Sequence, residues 1–212
     1  LSGAFTMAYN PFFYEKAASS NQISAKKSLG YINNIYVIVS FYLSVGLILF
    51  ANNIFDLFFD KTYSSGYIIV PLIVLGCFFN LITGILNLMY NQEKKSLQLM
   101  YITLIGAILN IILNFIFIPK YGMHGAAIST CICFLIILLI VYKYSKLYYF
   151  IKFDFKLIFR TLIPMLSLII MCIFNNTTFN MLLLKIFIFI SVGLITVHKI
   201  SPTFLTKLFK KA

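Results

Sequence analysis

LQLMYITLIGAILNIILNFIFI (Leu97–Ile118), PKYG (Pro119–Gly122) and MHGAAISTCICFLIILLIVY (Met123–Tyr142) follow one another without a break. Neither long run contains Asp, Glu, Lys or Arg. A charge-free apolar run of about 20 residues, coiled as a helix, matches the hydrocarbon thickness of a bilayer. Lipid offers no hydrogen-bond partners, so the backbone must satisfy itself, and a helix does so. The short polar PKYG break then predicts two antiparallel spans joined by a tight turn.

The same pattern extends in both directions. Further full spans are predicted at Tyr31–Ala51, Tyr67–Tyr90, Leu157–Phe174 and Met181–His198, and Leu1–Tyr9 closes a partial helix. The expected fold is all-α: a polytopic bundle of one partial and six full transmembrane helices. Pro71 and Pro164 sit in the first turns of their spans, where proline is tolerated. Three regions follow from the pattern. Residues 1–30 hold a helix end and a basic linker, 31–146 a four-helix part, and 147–212 two additional helices and a basic tail. An opening on apolar residues at Leu1 reads as a C-terminal portion of a longer protein.

Composition agrees. Hydrophobic residues make up 61% of the 212 residues, charged ones 10%, and mean hydropathy is +0.97. A soluble domain carries roughly a quarter charged residues. The net charge of +12 does not point to nucleic acid, because it collects at the ends of apolar runs and forms no face of its own. Lysines 16, 26, 27, 94, 95, 143, 146, 152, 156, 199, 207, 210 and 211 fall on alternate breaks, against only Lys61 and Lys120 on the others. That thirteen-to-two split predicts a cytoplasmic-membrane protein with both ends of this chain in the cytoplasm. Three segments, Phe12–Leu29, Tyr148–Arg160 and Ser201–Ala212, mix aromatic and aliphatic residues with lysines. Each is expected to lie along the inner interface or to be a solvated basic loop.

Polar residues inside spans are the site candidates. Asn80 and Asn87 are seven apart, and Asn110 and Asn114 four apart, so each pair shares a helix face. Such amides either bond a neighbouring helix or line a water-filled cavity and meet sugar hydroxyls. Lys185, one turn into the last span, either snorkels or touches substrate. Gly84, Gly106, Gly122 and Gly125 are expected to let helices approach closely. The cysteines, Cys77, Cys131, Cys133 and Cys172, lie in apolar runs and read as small fillers. His124 and His198 stand apart. No catalytic constellation, phosphate loop or metal-ligand spacing is visible, so neither an enzyme nor a cofactor is expected.

The stretch Asn110–Thr130, NIILNFIFIPKYGMHGAAIST, has an asparagine pair, a Pro-x-Tyr-Gly turn and Gly-Ala-Ala opening the next span. It resembles the polysaccharide-export flippases, the O-antigen or capsule repeat-unit translocases of the multidrug/oligosaccharidyl-lipid/polysaccharide superfamily. Ala8-Tyr-Asn-Pro11, and Pro71 in a span ending at Tyr90–Lys95, agree with it. The resemblance covers Ala4 to about Lys146; the last two spans carry no matching motif. It implies the second lobe of a MATE-like flippase plus an added helix pair, with Leu1–Tyr9 as the eighth helix. It implies translocation of an undecaprenyl-diphosphate-linked oligosaccharide, with the lipid bilayer, a missing N-terminal lobe and a polysaccharide polymerase as partners. The family's cationic cavity residues mostly precede this region, and none is carried onto it. Two other functions, besides a lobe with only a structural role, remain open at this point. One is a cation-coupled drug or metabolite exporter of the same superfamily. The other is a membrane-embedded polymerase or acyltransferase.

Overall fold

The computed structural model describes residues 2–58, 66–149, 151–154, 189–191 and 193. Five helices follow in order: α1 (Ser2–Ala17), α2 (Gln22–Phe58), α3 (Val70–Gln92), α4 (Ser96–Tyr121) and α5 (Met123–Ser145). No strand occurs among the described residues. Among the described residues, four helical stretches, Gln22–Phe58, Gly66–Gln92, Ser96–Tyr121 and Met123–Ser145, are long and apolar enough to cross a membrane. The fold is an all-α membrane bundle.

Helix bounds at α3, α4 and α5 lie within a few residues of the predicted spans. The first part of the chain differs. Phe12–Gly30 is not a linker: α1 continues through Pro11 to Ala17, and α2 begins at Gln22. The break is only residues 18–21. The Asn21 side chain closes it by accepting the Ser24 N–H at 3.0 Å, a helix N-cap. Burial explains the extra helix. Phe13, Ala17, Ala25 and Leu29 are buried, while Lys27 and Ser28 stay exposed. A segment too polar to span becomes helical because its apolar side has neighbours to cover it.

The expected Pro119–Gly122 turn is also shorter than predicted. Pro119 and Lys120 belong to α4, and the chain reverses at Gly122. Its φ of 55° and ψ of −129° suit glycine, and its N–H bonds the Ile118 carbonyl at 2.8 Å.

α5 is the hub, packed along both α3 and α4, and α2 packs on α3. The largest buried cluster sits at one end of the bundle. It joins Tyr9 and Phe13 of α1, Leu29 of α2, Met89 and Tyr90 of α3, and Val141 of α5. The segment leaving α5 crosses this end as a strap. Tyr149 donates to Gln22 Oε1 at 2.9 Å and meets Phe13 edge-on at 6.0 Å. Tyr148 bonds Gln98, and its ring lies 4.9 Å from that of Tyr90. Ile151 is fully buried, and the Asp154 N–H reaches Asn34 Oδ1 at 3.1 Å. The C-terminal ends of α1, α3 and α5 therefore meet the N-terminal ends of α2 and α4.

The predicted span Leu157–Phe174 lies outside the described residues. Of Met181–His198, residues 189–191 and 193 are described and helical. Phe189 stacks on Tyr42 of α2 at 4.1 Å, and the Tyr42 hydroxyl donates to the Phe189 carbonyl at 2.7 Å.

Candidate functional site

On α3, one face carries Cys77, Asn80, Gly84, Asn87 and Asn91, spaced three or four apart. All are exposed except Asn87, which is half-buried. A Cβ built on Gly84 meets nothing within 4 Å. The close helix approach expected at Gly84 is therefore not there; it is at Gly76, where a Cβ would stand 3.3 Å from the Cys131 Cα on α5. Gly76 carries no polar signal, which is why sequence reading passed over it. Asn87 Oδ1 is buried without a hydrogen-bond partner among the described residues. The other side of α3 is closed: Leu86, Met89 and Tyr90 are fully buried, and the Tyr90 hydroxyl donates to the Val141 carbonyl of α5 at 2.9 Å. The described helices thus leave an amide-and-glycine stripe open along a membrane-spanning helix. Amides facing acyl chains are costly. Such a stripe calls for water, polar ligand or another helix.

The second amide pair has a different setting. Asn114 Nδ2 donates to Asn110 Oδ1 at 3.0 Å, within α4. Both are half-buried, in helical register with Gly106, the one buried residue of α4. A Cβ on Gly106 would overlap Ile137 of α5, with the side-chain Cγ1 2.7 Å away. A Cβ on Gly125 would run into the α4 backbone, 2.5 Å from the Phe117 carbonyl carbon and 2.9 Å from the Ile118 nitrogen. Gly122 has open space around it, so its requirement is the positive φ and not a close approach. Asn110 and Asn114 belong to the α4–α5 hairpin; Asn80 and Asn87 belong to the open stripe. Lys185 lies outside the described residues.

Sequence reading passed over Asn33 and Asn34 on α2. Asn33 is fully buried, and its Oδ1 accepts the hydroxyl of the buried Tyr9. Asn34 holds the strap through Asp154. The signal was available, since both are amides at the start of an apolar run. Gln22 at the α1–α2 break was missed too; its Nε2 donates to the Ala17 and Ser19 carbonyls, each at 2.8 Å. Among the described residues no cluster of His, Cys, Asp or Glu could hold a metal ion.

No protein-family model and no curated protein matches this chain. Among solved structures it resembles the lipid II flippase MurJ in an inward closed conformation, with a TM-score of 0.64 and 24% identity. The match covers 98% of this chain and 46% of that one, so this chain spans about half the length of the structure it resembles.

Proposed function

We propose that this chain is one half of a flippase that carries a lipid-linked oligosaccharide across the cytoplasmic membrane. The fold likeness to a flippase supports the class. The observation that carries the reading is the open amide stripe of α3. Asn80, which is exposed, offers a donor and an acceptor to sugar hydroxyls without placing a charge in the bilayer, and half-buried Asn87 extends the same amide face. That suits a bulky, hydroxyl-rich head group crossing on a lipid carrier. The cargo is an undecaprenyl-diphosphate-linked repeat unit for a surface polysaccharide, passed on to a polymerase. Positive side chains for the diphosphate come from the complementary half, because a diphosphate cannot enter hydrocarbon uncompensated. Lys185 is the one candidate of that kind in this chain. Both ends of the chain are cytoplasmic, and Asn110 and Asn114 stabilise the α4–α5 hairpin and stay out of the transport path.

The test compares Asn80→Leu/Asn87→Leu with Asn110→Leu/Asn114→Leu in cells. The α3 pair should lose surface polysaccharide at normal protein abundance. The α4 pair should lose abundance and export together. Full export from the α3 double variant would overturn the assignment.

A further inference from the structure

Eight of the nine described lysines lie at the strapped end of the bundle. Four of them stand over aromatic rings. Lys26 Nζ is 4.5 Å from the Tyr149 centroid, Lys146 4.7 Å from Tyr142, Lys16 5.6 Å from Phe12 and Lys143 5.8 Å from Tyr144. A ring face attracts the ammonium and reduces its wandering, yet leaves its outward N–H groups free for an acceptor. Burial pushes the Tyr149 phenol above its ordinary range, so that ring stays neutral beneath Lys26.

The same end exposes large apolar side chains: Ile23 is 86% exposed, Leu147 72% and Leu97 68%. Each lies within a few residues of a lysine: Ile23 before Lys26, Leu97 after Lys95, Leu147 after Lys146. An aqueous partner would give such side chains nothing. A surface whose outer layer is phosphate and whose inner layer is hydrocarbon satisfies both kinds of group. Charge complementarity therefore selects the occupant.

We propose that the strapped end is a docking surface for anionic phospholipid head groups, with the ring-backed lysines binding phosphates and Ile23, Leu97 and Leu147 entering the acyl boundary. The lysines then do more than record topology; they hold lipids that cover the helix ends.

The experiment uses the purified protein in detergent, titrated with phosphatidylglycerol or phosphatidylcholine. Lipid retention is read by native mass spectrometry and unfolding by thermal shift. Phosphatidylglycerol should bind and raise the unfolding temperature; phosphatidylcholine should not. Lys26→Gln/Lys146→Gln should weaken that binding by at least about fivefold, and Lys120→Gln, at the opposite end, should leave it unchanged. Ile23→Ser changes a side chain that is 86% exposed, and it should weaken lipid binding with little change in the lipid-free unfolding temperature. Equal binding of both lipids, an unaltered response in the lysine double variant, or the same thermal shift from inorganic phosphate alone would each overturn the proposal.

Discussion

Gly125 on α5 rests against the Phe117 carbonyl on α4, closer than any side chain would allow. The obstacle is backbone, which cannot swing aside as a flexible side chain can. Gly125→Ala should cost about 1–3 kcal/mol through overpacking, measured as a lower unfolding temperature and less protein in the membrane. Gly122→Ala should cost a similar amount for another reason, the positive φ. Gly84→Ala has open space and should be neutral or stabilising by up to about 1 kcal/mol, since alanine is the better helix former.

The Tyr9–Asn33 bond ties α1 to α2 inside the buried cluster. Tyr9→Phe leaves the Asn33 amide without that partner and should destabilise by about 0.6–1.7 kcal/mol, the range for polar contacts between membrane helices. Asn33→Leu combined with Tyr9→Phe should recover part of the loss. A double-mutant cycle on thermal unfolding gives the coupling directly; additive single effects would show that the bond contributes nothing.

The strap is held by a buried anchor. Ile151→Ala should lower stability by about 2–5 kcal/mol, as for other large-to-small changes in closed cores. The strap also closes over Gly30, where a Cβ would stand 2.9 Å from the Lys152 carbonyl oxygen. Gly30→Ala should therefore loosen the same end. Protease sensitivity between residues 145 and 155 reports the loosening.

Topology is tested on a background without the native cysteines. Ser96→Cys at the strapped end and Lys120→Cys at the other are both exposed. An impermeant thiol reagent applied outside the cell should label position 120 and spare position 96. The reverse result would invert the membrane orientation.

The apolar runs of α3, α4 and α5 announce themselves because hydrocarbon imposes one length and one backbone solution. The polar start of α2 does not, because its helix depends on Phe13 folding back across the α1–α2 break and on Tyr149 and Ile151 arriving from a distant part of the chain. The glycines show the same divide. Periodicity marks Gly106 and Gly125 as small, but only the packed structure separates Gly84, facing open space, from Gly76, pressed on Cys131. The asparagines can be placed on helix faces from spacing alone. The bond between Asn114 and Asn110 follows from their i, i+4 spacing within α4, but which face meets a neighbouring helix depends on how the helices assemble.

α2 runs 37 residues without interruption, a rod about 55 Å long at 1.5 Å per residue. Hydrocarbon spans only about 30 Å of that, so nearly half the rod stands outside the apolar layer or is taken up by tilt. Its Gln22 end is gripped by the strap and by the α1 joint. It is held again at Tyr42, about 30 Å further along at 1.5 Å per residue, where Phe189 stacks on the ring and its carbonyl accepts the hydroxyl bond. Two grips that far apart fix the direction of the rod, so α2 acts as a strut tying one membrane face to the middle of the bundle.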